Sequence, residues 1–200
     1  MAVLPIYTYS HPVLRKKARA VKLVDDQLIR FIEDLFETMH KANGIGLAAT
    51  KVGSLRRVIV VDVSDVVREK EQNGSVEEDD FPPEARDPIV MLNPEVIHEE
   101  GELFMEEGCL SIPDIREEVG RAESIRVKYR DLQLKERELT ADGLLGRVIL
   151  HEIDHLNGVL FIDHLSKVRQ KLLRGRLNKI RNGEVEISYP IITEIPVEAQ

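Results

Sequence analysis

The stretch Leu150-His151-Glu152-Ile153-Asp154-His155-Leu156 decides the fold, and it closely follows a candidate helix start at Thr140-Ala141-Asp142. Residues four apart on an α-helix lie one above the other, so His151 and His155 point the same way and can reach one divalent metal ion. Glu152 lies beside them. It places a carboxylate near a metal-activated water without being a ligand itself, which is the arrangement that metal-assisted hydrolysis requires.

Apolar residues surround the two histidines. Leu144 and Val148 continue the same helical face, which predicts a metal held in the core and not on the surface. Leu156-Asn157-Gly158 supplies a helix stop. The alternative interpretation is that the histidines are core residues with satisfied hydrogen bonds and no metal.

The third ligand determines what kind of metal site this is. The extended motif H-E-x-x-H-x-x-G-x-x-H is met at Gly158 but fails at its last position, where Phe161 stands. His164 lies three residues too far along, and Glu184 lies beyond a basic helix. Cys109 remains, which predicts one thiolate, two imidazoles and an open fourth position. Such ligands suit iron(II), zinc, cobalt or nickel more than magnesium or calcium.

Cys109 is the only cysteine, so no intrachain disulfide can form. Two other interpretations of this thiol remain open. It could be a buried small hydrophobe, or the nucleophile of a Cys-His hydrolase, although two histidines at ligand spacing are more than that mechanism requires. The following Pro113 places Cys109 at a strand end or turn.

Composition bounds the class of protein. Residues 1–200 fit one domain, with a basic C-terminal helix at about 166–182 and a short tail. The net charge of −8 argues against a DNA-binding or general nucleic-acid-binding protein. There is no apolar run long enough for a membrane span and no signal-peptide pattern at the N-terminus, so we expect a cytoplasmic protein.

Periodicity predicts the elements around this site. A clear amphipathic helix begins at Asp25 or Asp26 and ends near Asn43-Gly44. Residues 69–87 are rich in acidic residues, which predicts a solvated loop or hairpin insertion. Predicted strands cover 57–63, 89–92, 95–104, 124–129, 132–139 and 185–189. The order predicts an α+β fold with antiparallel sheets packed around a central metal-binding helix.

Three glycines, Gly44, Gly46 and Gly53, occur within ten residues. They indicate a backbone that approaches another strand or a ligand closely, or simply a glycine-rich connector. The spacing fits neither a dinucleotide fingerprint nor a phosphate loop.

The last predicted helix is basic on its exposed faces. Ser166 is its expected N-cap, and no acidic residue occurs from Ser166 to Gly183. These faces are either merely solvated or a contact for an anionic partner such as ribosomal RNA. The predicted apolar stripe consists of Val168, Leu172, Leu173, Leu177 and Ile180.

Three segments together resemble the signature motifs of peptide deformylase, in the right order: Gly44-Ile45-Gly46-Leu47-Ala48-Ala49, Glu107-Gly108-Cys109-Leu110-Ser111 and His151-Glu152-Ile153-Asp154-His155. The resemblance extends from the first helix to the basic last one. It implies removal of the formyl group from the N-terminal formylmethionine of nascent chains, with iron(II) as the natural metal and zinc or nickel often found in preparations.

The resemblance also implies roles for individual residues. Cys109, His151 and His155 would bind the metal, and Glu152 would act as general base and then as acid. The backbone N–H of Leu110 would face the developing oxyanion. Ile45, Gly46 and Gly108 would line the cleft and pair with the peptide, and Arg116 and Arg147 would lie near the methionine pocket.

Lys51 departs from the family pattern, which has a glutamine that donates a hydrogen bond to the formyl oxygen. We expect either reduced activity or a Lys51 that turns toward Glu107 or Glu152. A milder departure is Leu150, where glutamine is common. The rival hypothesis is a catalytically weakened metal-binding relative that docks on ribosomes through the basic helix.

Overall fold

The structure is a computed structural model that describes residues 2–74 and 83–194. Its elements follow one another in an order that mixes strands and helices. They are β1 (Ile6–Tyr7), α1 (Asp26–Lys41), β2 (Gly46–Ala48), β3 (Val58–Val61), α2 (Ser64–Gln72), β4 (Ile89–Glu100), β5 (Leu103–Cys109), β6 (Ile112–Arg121), β7 (Ser124–Arg130), β8 (Glu136–Asp142), α3 (Gly143–Asn157), α4 (Lys167–Arg181) and β9 (Ile191–Ile192).

The described strands form three sheets. The largest is antiparallel, with the strand order β2-β3-β4-β7-β8. β5 and β6 form a separate antiparallel hairpin, and β1 pairs in parallel with β9 near the two ends of the chain. The predicted α+β class with antiparallel sheets is confirmed, because solved structures of the same architecture superpose on this one.

Helix α3 lies at the centre of the molecule. Asp142 occupies its N-cap position, and Gly158 ends it in the left-handed conformation with φ 77°. Leu145, Ile149 and Leu156 are buried in one core cluster with side chains of the five-stranded sheet. A helix apolar on so many sides is stable only when it is enclosed by other elements.

Helix α1 agrees with its predicted pattern. The Asp25 carboxylate accepts a hydrogen bond from the backbone N–H of Leu28 at 2.8 Å, which caps the first turn. Its buried face, which includes Ile32 and Leu35, packs into a second cluster together with Leu47 of β2. The helix therefore supports the glycine-rich segment that follows it.

Several predicted boundaries were wrong. Residues 64–72 form α2, so the predicted loop at 69–87 begins inside a helix, and residues 75–82 of that stretch lie outside the described residues. Strand β6 was not predicted, and the strand predicted at 132–139 starts later, at Glu136. Residues 185–189 pair with no strand in the described part of the chain, and the nearest strand is β9.

Helix α4 begins at its predicted cap. The Ser166 hydroxyl accepts a hydrogen bond from the Arg169 N–H. Leu173, Leu177 and Ile180 are buried, but Val168 and Leu172 are 69% and 68% exposed, so the predicted five-residue stripe was wrong at these two positions. They lie four residues apart on a different face of the helix.

No helix in the described part of the chain is both long and apolar enough to cross a membrane.

Candidate metal centre

Three side chains from two separate elements, β5 and the central helix α3, lie close together. β5 ends at Cys109, and α3 carries His151 and His155 one turn apart. Their candidate ligand atoms all lie within 4.8 Å of one another. Cys109 Sγ lies 3.2 Å from His155 Nε2, which lies 3.2 Å from His151 Nε2. The three residues singled out in the sequence are therefore brought together.

The spacing of these atoms fits a tetrahedral cation. Around an ion with metal–nitrogen bonds of about 2.1 Å, two nitrogens lie about 3.4 Å apart. The observed separation between the two Nε2 atoms is 3.2 Å. One sulfur and two imidazole nitrogens would leave the fourth corner of such an ion for a reactant, which is the ligand set of an open, catalytic type of site.

The electrostatics of the cluster favour metal binding. Burial raises the pKa of the Cys109 thiol, but the Lys51 ammonium and His151 outweigh it, and the net effect lowers that pKa toward the thiolate. Burial, Lys51 and His151 together lower the pKa of His155 well below its usual value, which keeps this imidazole neutral. Thiolate and neutral imidazole are the forms that ligate metals.

A divalent ion and a proton compete for His151. Burial lowers the pKa of this imidazole, but hydrogen bonds with Cys109 and Glu107 raise it to about 9. The cluster thus attracts positive charge, as a proton or as a metal ion.

The Glu107 carboxylate fixes the orientation of the His151 imidazole. Its Oε2 lies 3.0 Å from His151 Nδ1, so the imidazole directs its other nitrogen toward Cys109 and His155. Arg121 donates two hydrogen bonds to the same carboxylate, at 2.6 and 3.0 Å, and Arg147 donates a third at 2.9 Å. Burial raises the pKa of Glu107, but the hydrogen bonds and charges of His151 and Arg121 lower it far below its usual value. A fixed carboxylate orients the ligand and increases its basicity.

This network extends to the surface of α3. Arg121 also contacts Asp154 at 2.7 Å, and Asp154 accepts a hydrogen bond from His164 at 2.7 Å. Sequence reasoning missed Arg121 and Asp154. Asp154 lies inside the histidine motif and could have been noticed, whereas Arg121 lies in the unpredicted strand β6 and reaches the site only through the pairing of β5 with β6.

Lys51 points toward the Glu152 carboxylate. Its Nζ lies 2.7 Å from Glu152 Oε1, and both side chains are almost completely buried. Burial lowers the pKa of Lys51, but the Glu152 carboxylate more than offsets this and raises it, so the ammonium stays charged. This is the second of the two arrangements expected from the sequence, with Glu152 and not Glu107 as the partner. Among the described residues, Glu152 Oε2 is buried and accepts no hydrogen bond.

The glycine-rich segment packs directly against α3. A Cβ on Gly46 would lie 2.6 Å from Val148 Cγ1 and 2.9 Å from Glu152 Oε1, so only glycine fits there. The Thr50 hydroxyl donates to the His155 carbonyl at 3.0 Å. The glycine-rich segment is therefore packed into the site and is not simply a connector.

A cleft of about 910 Å³ opens over this centre. Its lining includes every predicted catalytic or substrate-binding residue: Ile45, Gly46, Lys51, Gly108, Leu110, Arg116, Arg147 and Glu152. The Arg116 side chain is exposed, 3.6 Å from Glu106. The Arg147 guanidinium is engaged by Glu107 and by two backbone carbonyls, which leaves its stem for the cleft wall. Ile187 and Tyr189 also line the cleft, and sequence reasoning missed both.

Comparison with known proteins gives one consistent family. Residues 3–171 match the model of the family described as polypeptide deformylase. The chain is 47% identical over 193 residues to the peptide deformylase of Salinibacter ruber, covering 96% of this chain and 95% of that protein. The crystal structure of a peptide deformylase from Legionella pneumophila superposes with a TM-score of 0.77 at 36% identity, covering 92% of this chain and 98% of that one. The peptide deformylase of Ehrlichia chaffeensis gives 0.79 at 32% identity, covering 92% and 97%.

Proposed function

The chain belongs to the polypeptide deformylase family, and we propose that Cys109, His151 and His155 hold its single metal ion while Glu152 moves the proton. The protein is a metal-dependent hydrolase that removes the N-formyl group from the N-terminal formylmethionine of newly synthesised polypeptides. The observation that carries the residue assignment is the convergence of three ligand atoms within 4.8 Å beside a buried carboxylate.

The proposed reaction is hydrolysis of one amide. When bound, the ion acts as a Lewis acid toward the formyl carbonyl and the attacking water. Glu152 takes a proton from that water through Oε2, the oxygen that accepts no other hydrogen bond among the described residues. The water oxygen bonds to the formyl carbon, the C–N bond breaks, and Glu152 returns the proton to the leaving amine. The products are formate and a free N-terminus.

The remaining cleft residues orient the substrate in this proposal. The N–H of Leu110 donates to the developing oxyanion, next to the thiolate ligand. The edge strand β2 begins at Gly46, directly after Ile45, and an extended peptide can be added to the sheet there. Gly108 also lines the cleft. Arg116 is exposed at the cleft and available for a substrate group, and the stem of Arg147 packs behind the methionine pocket.

Iron(II) is the metal we propose for the natural enzyme, with zinc, nickel or cobalt as substitutes, because thiolate and imidazole ligands suit all four. The test is to load metal-free protein anaerobically with each ion and measure hydrolysis of a formyl-methionyl peptide. We expect iron(II) to support the fastest turnover. A faster zinc enzyme would contradict this assignment.

The role of Glu152 is tested by Glu152→Gln. The amide keeps the size of the side chain but cannot accept the proton, so we expect kcat to fall by on the order of 10²–10⁴ with metal content unchanged. Full activity of this variant would overturn the assignment. Activity without stoichiometric metal that is abolished by thiol alkylation would favour Cys109 as a nucleophile instead.

A separate proposal concerns the cellular setting. We place the enzyme in the cytoplasm, where formylated chains are made, with α4 as a ribosome contact. Of its basic residues, Arg169, Arg176 and Arg181 bind other parts of this chain. The exposed cations that remain for an anionic partner are Lys167, Lys171, Arg174 and Lys179.

Co-sedimentation with ribosomes at low and high salt tests this contact. Charge reversal at Lys171 and Arg174 should abolish a salt-sensitive association and leave turnover of a short peptide unchanged. Binding that persists in the reversed variant would exclude α4 as the contact. The rival hypothesis, that this chain is a catalytically weakened relative, is not favoured, since the similar proteins are named peptide deformylases.

A further inference from the structure

The segment between α4 and β9 crosses the molecule beside the cleft. We name residues 185–190 the C-terminal strap. Along it Val185, Ile187 and Tyr189 are half-buried while the residues between them are exposed, which is the alternation of an extended chain with one packed face. The strap lies beyond the range 3–171 that matches the family model.

Both ends of the strap are anchored. At its start, the N–H of Glu184 donates to the Lys179 carbonyl at the end of α4 at 2.9 Å. At its end, the Pro190 carbonyl accepts from the N–H of Ile6 at 2.9 Å, and the pairing of β1 with β9 follows directly. A segment held at both ends can hold a side chain at a defined place between them.

The strap reaches the metal centre through one hydrogen bond. The Tyr189 hydroxyl donates to the Leu110 carbonyl at 2.9 Å. Leu110 and Ser111 form the turn between β5 and β6, directly after the ligand Cys109, and the ladder shifts register at this point. A turn residue has no regular strand partner, so its orientation depends on contacts of this kind.

The turn is held from two sides. The Ser111 carbonyl accepts from the N–H of Tyr9 at 2.8 Å, and the Leu110 carbonyl accepts from Tyr189. One contact comes from the N-terminal segment and the other from the strap. Together they restrict the rotation of the Leu110 backbone, and therefore the direction of its N–H.

We propose that Tyr189 is a positioning residue for the deformylase reaction: by holding the Leu110 carbonyl, it aims the Leu110 N–H at the reacting formyl oxygen. The inference rests on the role proposed above for Leu110. Tyr189 itself need not touch the formyl group. Its ring and Ile187 form the side wall of the cleft.

Tyr189→Phe tests the hydrogen bond because it removes the hydroxyl and keeps the ring. A net contribution of about 1 kcal/mol for one such bond corresponds to about a fivefold effect. We expect kcat for a formyl-methionyl peptide to fall three- to tenfold, with KM within about twofold and metal content unchanged. The matched control is Tyr7→Phe, which removes a tyrosine hydroxyl from β1, the strand that pairs with β9 directly after the strap. The Tyr7 ring packs against His11.

A second measurement does not depend on turnover. Hydrogen–deuterium exchange of residues 107–113, which contain the turn, should be faster in Tyr189→Phe than in Tyr7→Phe or the wild type. We expect the same difference in metal-free protein. An inactive wild type would overturn the proposed function, whereas this exchange comparison would still test the contact.

Two outcomes would overturn the proposal. One is a Tyr189→Phe variant whose kcat and turn exchange equal those of Tyr7→Phe. The other is a loss that occurs only in Tyr189→Ala and not in Tyr189→Phe, because that pattern would assign the effect to ring packing.

Discussion

Lys51 places a full positive charge where an uncharged amide is usual in this family. Its ammonium is held 2.7 Å from Glu152 in a site with almost no solvent, so donating to a formyl oxygen means weakening that buried ion pair. A glutamine would donate without this competition. The pair also holds Glu152 beside the cleft with one oxygen engaged, which leaves the other for proton transfer.

Substitution of Lys51 separates the donor from the charge. We expect Lys51→Gln to raise kcat/KM for a formyl-methionyl peptide by about tenfold, because it restores a neutral donor and releases Glu152. Lys51→Met also removes the charge but cannot donate, so we expect its kcat to lie below that of Lys51→Gln by on the order of 10²–10³, the typical cost of losing one oxyanion donor. Steady-state kinetics of both variants at equal metal content is the measurement. If Lys51→Gln is no faster than the wild type, the lysine is an adequate donor.

Substitution of Gly46 tests how closely the glycine-rich segment packs against α3. A methyl group there would overlap Val148 and Glu152, so Gly46→Ala should lower the free energy of unfolding by about 1–3 kcal/mol and displace the catalytic carboxylate. Gly175 in α4 is the matched control, since a methyl there meets nothing within 4 Å. Gly175→Ala should stabilise the helix by up to about 1 kcal/mol. The measurements are the free energy of unfolding in denaturant and kcat of both variants. Equal effects at the two positions would contradict close packing at Gly46.

At the scale of elements, Glu107 joins the β5–β6 hairpin to α3. One carboxylate receives hydrogen bonds from Arg121 of β6 and from Arg147 and His151 of α3. All four side chains are buried, so none of these charges is compensated by solvent. Glu107 thus connects the two elements that carry the proposed metal ligands, without any metal ion.

Neutralising Glu107 should weaken metal binding more than it alters the chemistry. For Glu107→Gln we expect metal affinity to fall by about 10- to 100-fold, because the amide no longer orients His151 or increases its basicity. Affinity is measured by competition with a chelator. The exposed Glu118 on β6 provides the control Glu118→Gln, which should leave affinity unchanged. Unaltered affinity in both variants would remove Glu107 from the metal site.

Helices α1, α3 and α4 were predictable from the sequence, whereas α2 and the strand pairings were not. α1 and α3 carry local signals, namely a cap, an apolar period and a glycine stop, and these signals do not depend on the rest of the chain. Strand β6 and its Arg121 become part of the site only through the register of the hairpin. The strap shows the same limit: the alternation at 185–189 is real, but no strand lies beside it in the described residues, so the predicted strand does not form.

The convergence of Cys109, His151 and His155 was predictable for a different reason. Histidines four apart and a single cysteine restrict the metal ligands by chemistry alone, and the ordered motifs restrict the rest. What the sequence left open was the orientation of Lys51, because two carboxylates, Glu107 and Glu152, were both within plausible reach. Glu107 is saturated by two arginines and a histidine, and Glu152 therefore receives the lysine.

At the scale of the whole molecule, a metal ion bound at the proposed centre would crosslink distant parts of the chain. The proposed ligand Cys109 lies on the hairpin and the two histidines lie on α3, more than forty residues later. An ion that binds the folded state alone stabilises it by mass action, by about 4 kcal/mol when it is present at about 1,000 times its dissociation constant. Metal binding should therefore be visible in the stability of the protein as well as in its activity.

Removal of the metal should lower Tm by on the order of 10 °C, since each kcal/mol shifts Tm by about 2–4 °C in a protein of this size. The fold should persist, because the core clusters and the Glu107 network need no ion. Cys109→Ser keeps the histidines but loses the thiolate, so its Tm should respond little to added metal and should lie near that of metal-free wild type. Calorimetry of both proteins with and without iron(II) or zinc is the measurement. A metal-induced shift of equal size in Cys109→Ser would show that the sulfur is not a ligand, and the open three-ligand centre would have to be abandoned.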